Sequence, residues 1–176
     1  MKKLIPILLL AFAAIPFQNC SQGGDDPIVI DTVKTTKPEP INTFKFNGIT
    51  TYNLKWDSTN MFGTYRSTDD MTTILVQGYS NSKYAEFTLK FPGNKIGSFK
   101  HSVTPETEIE VVTGTGAAYK QYVFATGAGK DMSINITKYD PVGGRIKGTF
   151  SGNLQSSGSL ETATITAGAF EVRREQ

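Results

Sequence analysis

The sequence predicts an all-β domain, an antiparallel β-sandwich or strongly curled β-barrel of about nine or ten strands, on three observations. Apolar residues recur with period two. Turn-forming residues separate the alternating segments. Beyond Thr43 no stretch repeats apolar residues at i, i+3, i+4 and i+7, the spacing a helix would need.

Taken in chain order, Met1 to Lys3 is a basic segment and Leu4 to Ile15 an apolar run. That run is shorter than the ~20 residues a membrane-spanning helix needs, and the pattern is that of an export signal. A cut after Ala13 would leave an unusually short signal, whereas a cut before Cys20 gives an ordinary length and accounts for a single cysteine in an exported chain. Residues 1–19 are therefore read as a lipoprotein-type signal peptide, with Cys20 as the lipidation site. Acyl chains on Cys20 would anchor the protein at ~0.8 kcal/mol per buried CH₂. Phe17-Gln18-Asn19-Cys20 lacks the usual small residue before the cysteine, and in this it resembles the relaxed lipoprotein signals of Bacteroidota. The expected location is the outer membrane, facing the periplasm or the cell surface.

Residues 20–42 form the expected tether, rich in Gly, Asp and Thr and interrupted by Pro27, Pro38 and Pro40, with Ile28-Val29-Ile30 as a potential added strand. Residues 43–176 are expected to be a single domain. The chain carries 18 Lys plus Arg against 16 Asp plus Glu, but Lys2 and Lys3 belong to the signal, so the mature chain is neutral. Without a global positive field, nucleic-acid binding has no support.

Within the domain, Ala85, Phe87, Leu89 and Phe91 alternate with polar residues, as do Met132, Ile134 and Ile136, and Ile146, Phe150 and Leu154. Each series marks a half-buried antiparallel strand. Turns are expected at Asp57 to Asn60, Asp69-Asp70, Asn81-Ser82, Pro92-Gly93-Asn94, Gly127-Ala128-Gly129, Asp140 to Gly144 and Ser156-Ser157-Gly158. Gly148 and Gly152 share the inward face of one strand and permit tight coiling or close approach. The last strand places Ala163, Ile165 and Ala167 inward and then changes phase to Phe170 and Val172, which predicts a bulge near Gly168.

The segments Ile136-Thr137-Lys138-Tyr139-Asp140, Gly144 to Leu154 and Thr164 to Val172, with Phe44-Lys45-Phe46-Asn47-Gly48 near the start, resemble small Bacteroidota lipoproteins of unknown function. The resemblance is strongest over residues 132–174. It implies an all-β, membrane-tethered domain and assigns no catalytic residue.

Catalytic chemistry finds little footing. One His and one Cys do not make a zinc site. His101 has no Gly-x-Ser-x-Gly partner segment, Gly114-Thr115-Gly116 lacks the third glycine of a dinucleotide turn, and Gly129-Lys130 lacks the glycine that opens a phosphate loop. No cofactor or metal is expected. Glu106, Glu108 and Glu110 alternate along one face, where they would hold Ca²⁺ or a sugar hydroxyl, or simply form a solvated, like-charged edge strand.

Among the aromatics, Tyr84, Tyr119, Tyr122, Tyr139 and Trp56 are the residues from which a sugar-stacking platform would be built. Trp56, in phase with Tyr52 and followed by the turn Asp57 to Asn60, is the leading candidate for a contact patch, with core packing as the competing reading. The expected function is a non-enzymatic binding or scaffold module for a glycan or partner protein. The alternative is a barrel-type carrier of a small hydrophobic ligand. A hydrolase with an unrecognised carboxylate pair comes third.

Overall fold

The computed structural model describes residues 42–55, 57, 59–124 and 132–176. The signal, Cys20, the tether up to residue 41, Trp56 and the Gly127-Ala128-Gly129 turn lie outside the described residues, while Asn42, expected to end the tether, opens the first strand. The fold is all-β. Its strands are β1 (Asn42–Phe46), β2 (Thr50–Leu54), β3 (Met61–Arg66), β4 (Met71–Ser80), β5 (Lys83–Pro92), β6 (Gly97–Lys100), β7 (Glu108–Thr113), β8 (Lys120–Phe124), β9 (Ser133–Tyr139), β10 (Arg145–Ser156) and β11 (Thr162–Arg174). Eleven strands among the described residues exceed the expected nine or ten. The surplus comes from pieces as short as β6, four residues long, in which alternation is too brief to read.

The sheet order is β2-β1-β11-β3-β4-β5-β7-β8-β10-β9-β6, and β10 also pairs with β11. That extra pairing closes a ring through β11, β3, β4, β5, β7, β8 and β10. The β1-β2 pair extends from β11, and the β9-β6 pair extends from β10. Two long strands make the closure possible. β10 bonds β9 over its first half and β8 at its end, while β11 bonds β1 over its first half and meets β3 in parallel at Arg173 and Arg174. Each strand therefore changes partner along its length, which lets the sheet close on itself.

A bulge interrupts the register of β11. Phe150 faces Gly168 but Gly152 faces Ile165, so β11 carries one extra residue, and β1 shows the same shift between Thr43 and Lys45. The extra residue sits at Thr166 and Ala167, where Ala167 takes the left-handed conformation (φ 50°). The phase change thus falls just before Gly168, and Ala167, expected inward, is exposed.

Ile146, Gly148, Phe150, Gly152 and Leu154 are all buried, as are Met132, Ile134 and Ile136. Phe87 on β5 and Phe150 on β10 come from opposite walls of the ring, and their ring centroids are 4.6 Å apart. Phe44 continues the cluster to Tyr52 (4.9 Å, stacked) and Phe87 (5.9 Å, edge-on). Aromatic side chains therefore meet across the ring, at distances typical of packed pairs.

The inward glycines make room for neighbours. A Cβ at Gly148 would lie 2.4 Å from the Asn135 carbonyl oxygen and 2.8 Å from Phe170 Cζ, and one at Gly152 would lie 2.8 Å from Met132 Cγ.

Candidate binding groove

An open groove of about 570 Å³ is lined by Lys55, Asp57, Asn60, Gln77, Tyr79 and Tyr84, with the backbone of Gly78. The alternation of β4 explains its wall. Ile74, Val76 and Ser80 turn inward, which sends Gln77 and Tyr79 outward. Asn81 (φ 49°) and Ser82 (φ 63°) form the two-residue turn into β5, both in the left-handed conformation that such tight hairpins require. That turn pairs Tyr79 with Tyr84, whose rings pack edge to face at 5.5 Å. Tyr79 is 62% exposed, so its ring is open to solvent beside this depression.

A chain of polar contacts holds the groove. Asp57 Oδ1 accepts the Thr59 backbone N–H, and Asp57 Oδ2 accepts Asn60 Nδ2, both at 2.9 Å. Gln77 Nε2 donates to Asn60 Oδ1 at 2.8 Å. The Tyr84 hydroxyl donates to Glu86 Oε2 at 2.7 Å, with Gln77 Oε1 at 3.3 Å from the same oxygen. The Thr59 N–H, helped by Asn60, holds the Asp57 carboxyl below its ordinary range, so it is ionised at neutral pH. Burial, reinforced by the Glu86 contact, raises the Tyr84 hydroxyl well above the ordinary tyrosine value and keeps it neutral.

The residues singled out in the sequence are dispersed. Tyr52 belongs to the core and not to a contact patch: it is 8% exposed, stacks on Phe44, and has its hydroxyl raised by burial. Trp56 lies outside the described residues. Glu106 is exposed in the turn before β7. Glu108 pairs with Lys90 at 2.9 Å, and Glu110 accepts Gln121 Nε2 at 2.5 Å.

β7 is also not an edge strand, since it bonds β5 from Glu108 to Thr113 and β8 from Val111 to Thr113. Glu106 and Glu108 border a second, smaller hollow of about 290 Å³, beside Arg66, Asp69, Thr73 and Lys90. No group of three His, Cys, Asp or Glu among the described residues is placed to hold a metal ion. His101 Nδ1 lies 2.9 Å from the Thr107 carbonyl oxygen, an acceptor, so this nitrogen carries a proton.

Of the groove residues, Tyr84 and the turn Asp57 to Asn60 stand out in the sequence, whereas Gln77 and Tyr79 do not. Their signal was the outward phase of β4 just before the Asn81-Ser82 turn. Comparison with protein-family models, with curated proteins and with solved structures finds no match to this chain.

Proposed function

We propose that this protein is an envelope lipoprotein of the small Bacteroidota type, tethered through Cys20, whose β domain is a non-enzymatic binding module for a glycan or partner protein. The observation that carries the reading is the contrast between a packed interior and an open aromatic and polar groove at Tyr79. A hydrophobic carrier would need interior space, and Phe87 with Phe150, Phe170 over Gly148 and Met132 over Gly152 occupy the positions where inward glycines suggested it. Around the groove, side chains hold fixed positions through one another, the preorganisation that lets a small surface bind.

The test places a photoreactive phenylalanine analogue at Tyr79 in the full chain, expressed in Bacteroidota cells alongside a C20S control. A discrete adduct from position 79 is expected, with none from the same analogue at exposed Lys95. The wild-type chain should take up labelled fatty acid and the control should not. Absence of any adduct, or a wild-type chain free of label, would contradict the proposal.

A further inference from the structure

We infer that the Tyr79 groove is a subsite for a neutral oligosaccharide, which it holds by stacking a pyranose ring on Tyr79 and reading vicinal hydroxyls with Asn60, Gln77 and Asp57. The inference rests on the binding-module reading and narrows it to one ligand class. Three observations converge on it.

The first is the lining. Pockets for apolar ligands are walled mainly by hydrophobic side chains, but here, among the described residues, carboxylate, ammonium and amide groups stand around the Tyr79 and Tyr84 rings, of which Tyr79 is the more exposed. A ligand that suits this wall has one apolar face and many hydroxyls, which is the chemistry of a pyranose.

The second is spare hydrogen-bonding capacity at fixed positions. Asn60 Nδ2 spends one hydrogen on Asp57, and Gln77 Nε2 spends one on Asn60, so each amide keeps a second donor. Among the described residues, Gln77 Oε1 receives only the long Tyr84 contact and each Asp57 oxygen accepts one hydrogen bond, which leaves it a lone pair. Donors and acceptors held side by side on planar groups match a pair of adjacent hydroxyls, each of which gives one hydrogen bond and accepts another.

The third is size and charge. A volume of about 570 Å³ falls in the range of small-ligand sites, about 300–1,000 Å³. Standard protein interfaces engage about 20–30 residues a side, far more than line this groove. Among the described lining residues the cation is Lys55, which stands against the Asp57 carboxylate in the wall and the Glu86 carboxylate beside Tyr84. That balance disfavours uronic acids and other anionic sugars.

The full chain, purified in detergent micelles, is applied to an array of neutral and uronate-containing oligosaccharides. Retention of at least one neutral oligosaccharide is expected, with no preference for the acidic set. Tyr79→Ala should weaken the affinity at least tenfold with the melting temperature unchanged, and Gln77→Ala should weaken it severalfold by an independent contact. No retained neutral oligosaccharide, a preference for acidic ones, or full affinity in both variants would overturn the inference. If the array is silent while the position-79 adduct is a protein, the carbohydrate inference falls and the binding module stands. A silent array with no adduct removes both.

Discussion

Phe170 occupies the space that a side chain at position 148 would need: its ring carbon Cζ lies 2.8 Å from where a Gly148 Cβ would stand, and the Asn135 carbonyl oxygen of the neighbouring strand lies 2.4 Å from the same point. The pairing of an absent side chain on β10 with a large one on β11 is how the curled sheet fills its own interior.

Gly148→Ala should therefore cost about 3 kcal/mol, the upper part of the overpacking range, because one of the two clashing groups is backbone and cannot rotate away. Gly152→Ala should cost less, about 2 kcal/mol, since its one overlap is with Met132 Cγ and the nearest backbone atom stands off at 3.4 Å. Urea unfolding of the two variants under one condition checks the order. Equal losses would mean that Asn135 does not constrain β10.

Ala167→Gly should stabilise the protein by about 0.5 kcal/mol. A left-handed alanine costs about 1–2 kcal/mol, and the extra freedom of glycine in the unfolded chain returns part of that gain. A higher urea midpoint at unchanged slope is the expected reading, and a lower midpoint would place the bulge elsewhere.

Stability should form a plateau that falls off on both sides. Hydrogen bonds and cations hold Asp57, Asp69, Asp140 and Glu161 below their ordinary values of 3.8 and 4.5, so their contribution is present above those values and is lost as pH falls through the folded-state values. Burial first of all raises Tyr52, Tyr84, Tyr122 and Tyr139 above 10.0, so the folded state holds their protons longer and stability declines as pH climbs past that point. Tyr52→Phe should flatten the alkaline side while changing the neutral plateau little. Urea midpoints across the pH range would show an unchanged alkaline limb if Tyr52 were solvated in the fold.

Millimolar Ca²⁺ should leave the melting temperature unchanged, because Glu108 and Glu110 are engaged by Lys90 and Gln121 and do not converge with Glu106 on one point. A rise that disappears on Glu108→Gln would contradict this arrangement.

Much of the fold was legible because burial follows period-two alternation, and the inward sets on β5, β9 and β10 match it residue for residue. The bulge was legible from the phase change but sits a residue early, since an alanine and not the adjacent glycine takes the left-handed conformation. Closure of the ring was not legible. It depends on β11 meeting β3 in parallel, a contact of more than a hundred residues' separation with no local signature. The candidate site was half legible for a related reason. Tyr52 and Tyr79 are the same residue type, and only the phase of the strand carrying each decides which ring enters the core and which faces water.

If ligands enter at the Tyr79 groove and not in the interior, ¹⁵N–¹H chemical-shift mapping of the full chain with solubilised envelope glycans will separate the two. Groove binding perturbs the amides of Lys55, Asp57, Asn60 and Gln77 to Tyr84 and leaves those of Ile134, Phe150 and Phe170 unmoved. Saturable shifts centred on Gly148, Gly152 and Phe170, with the Tyr79 region silent, would contradict it.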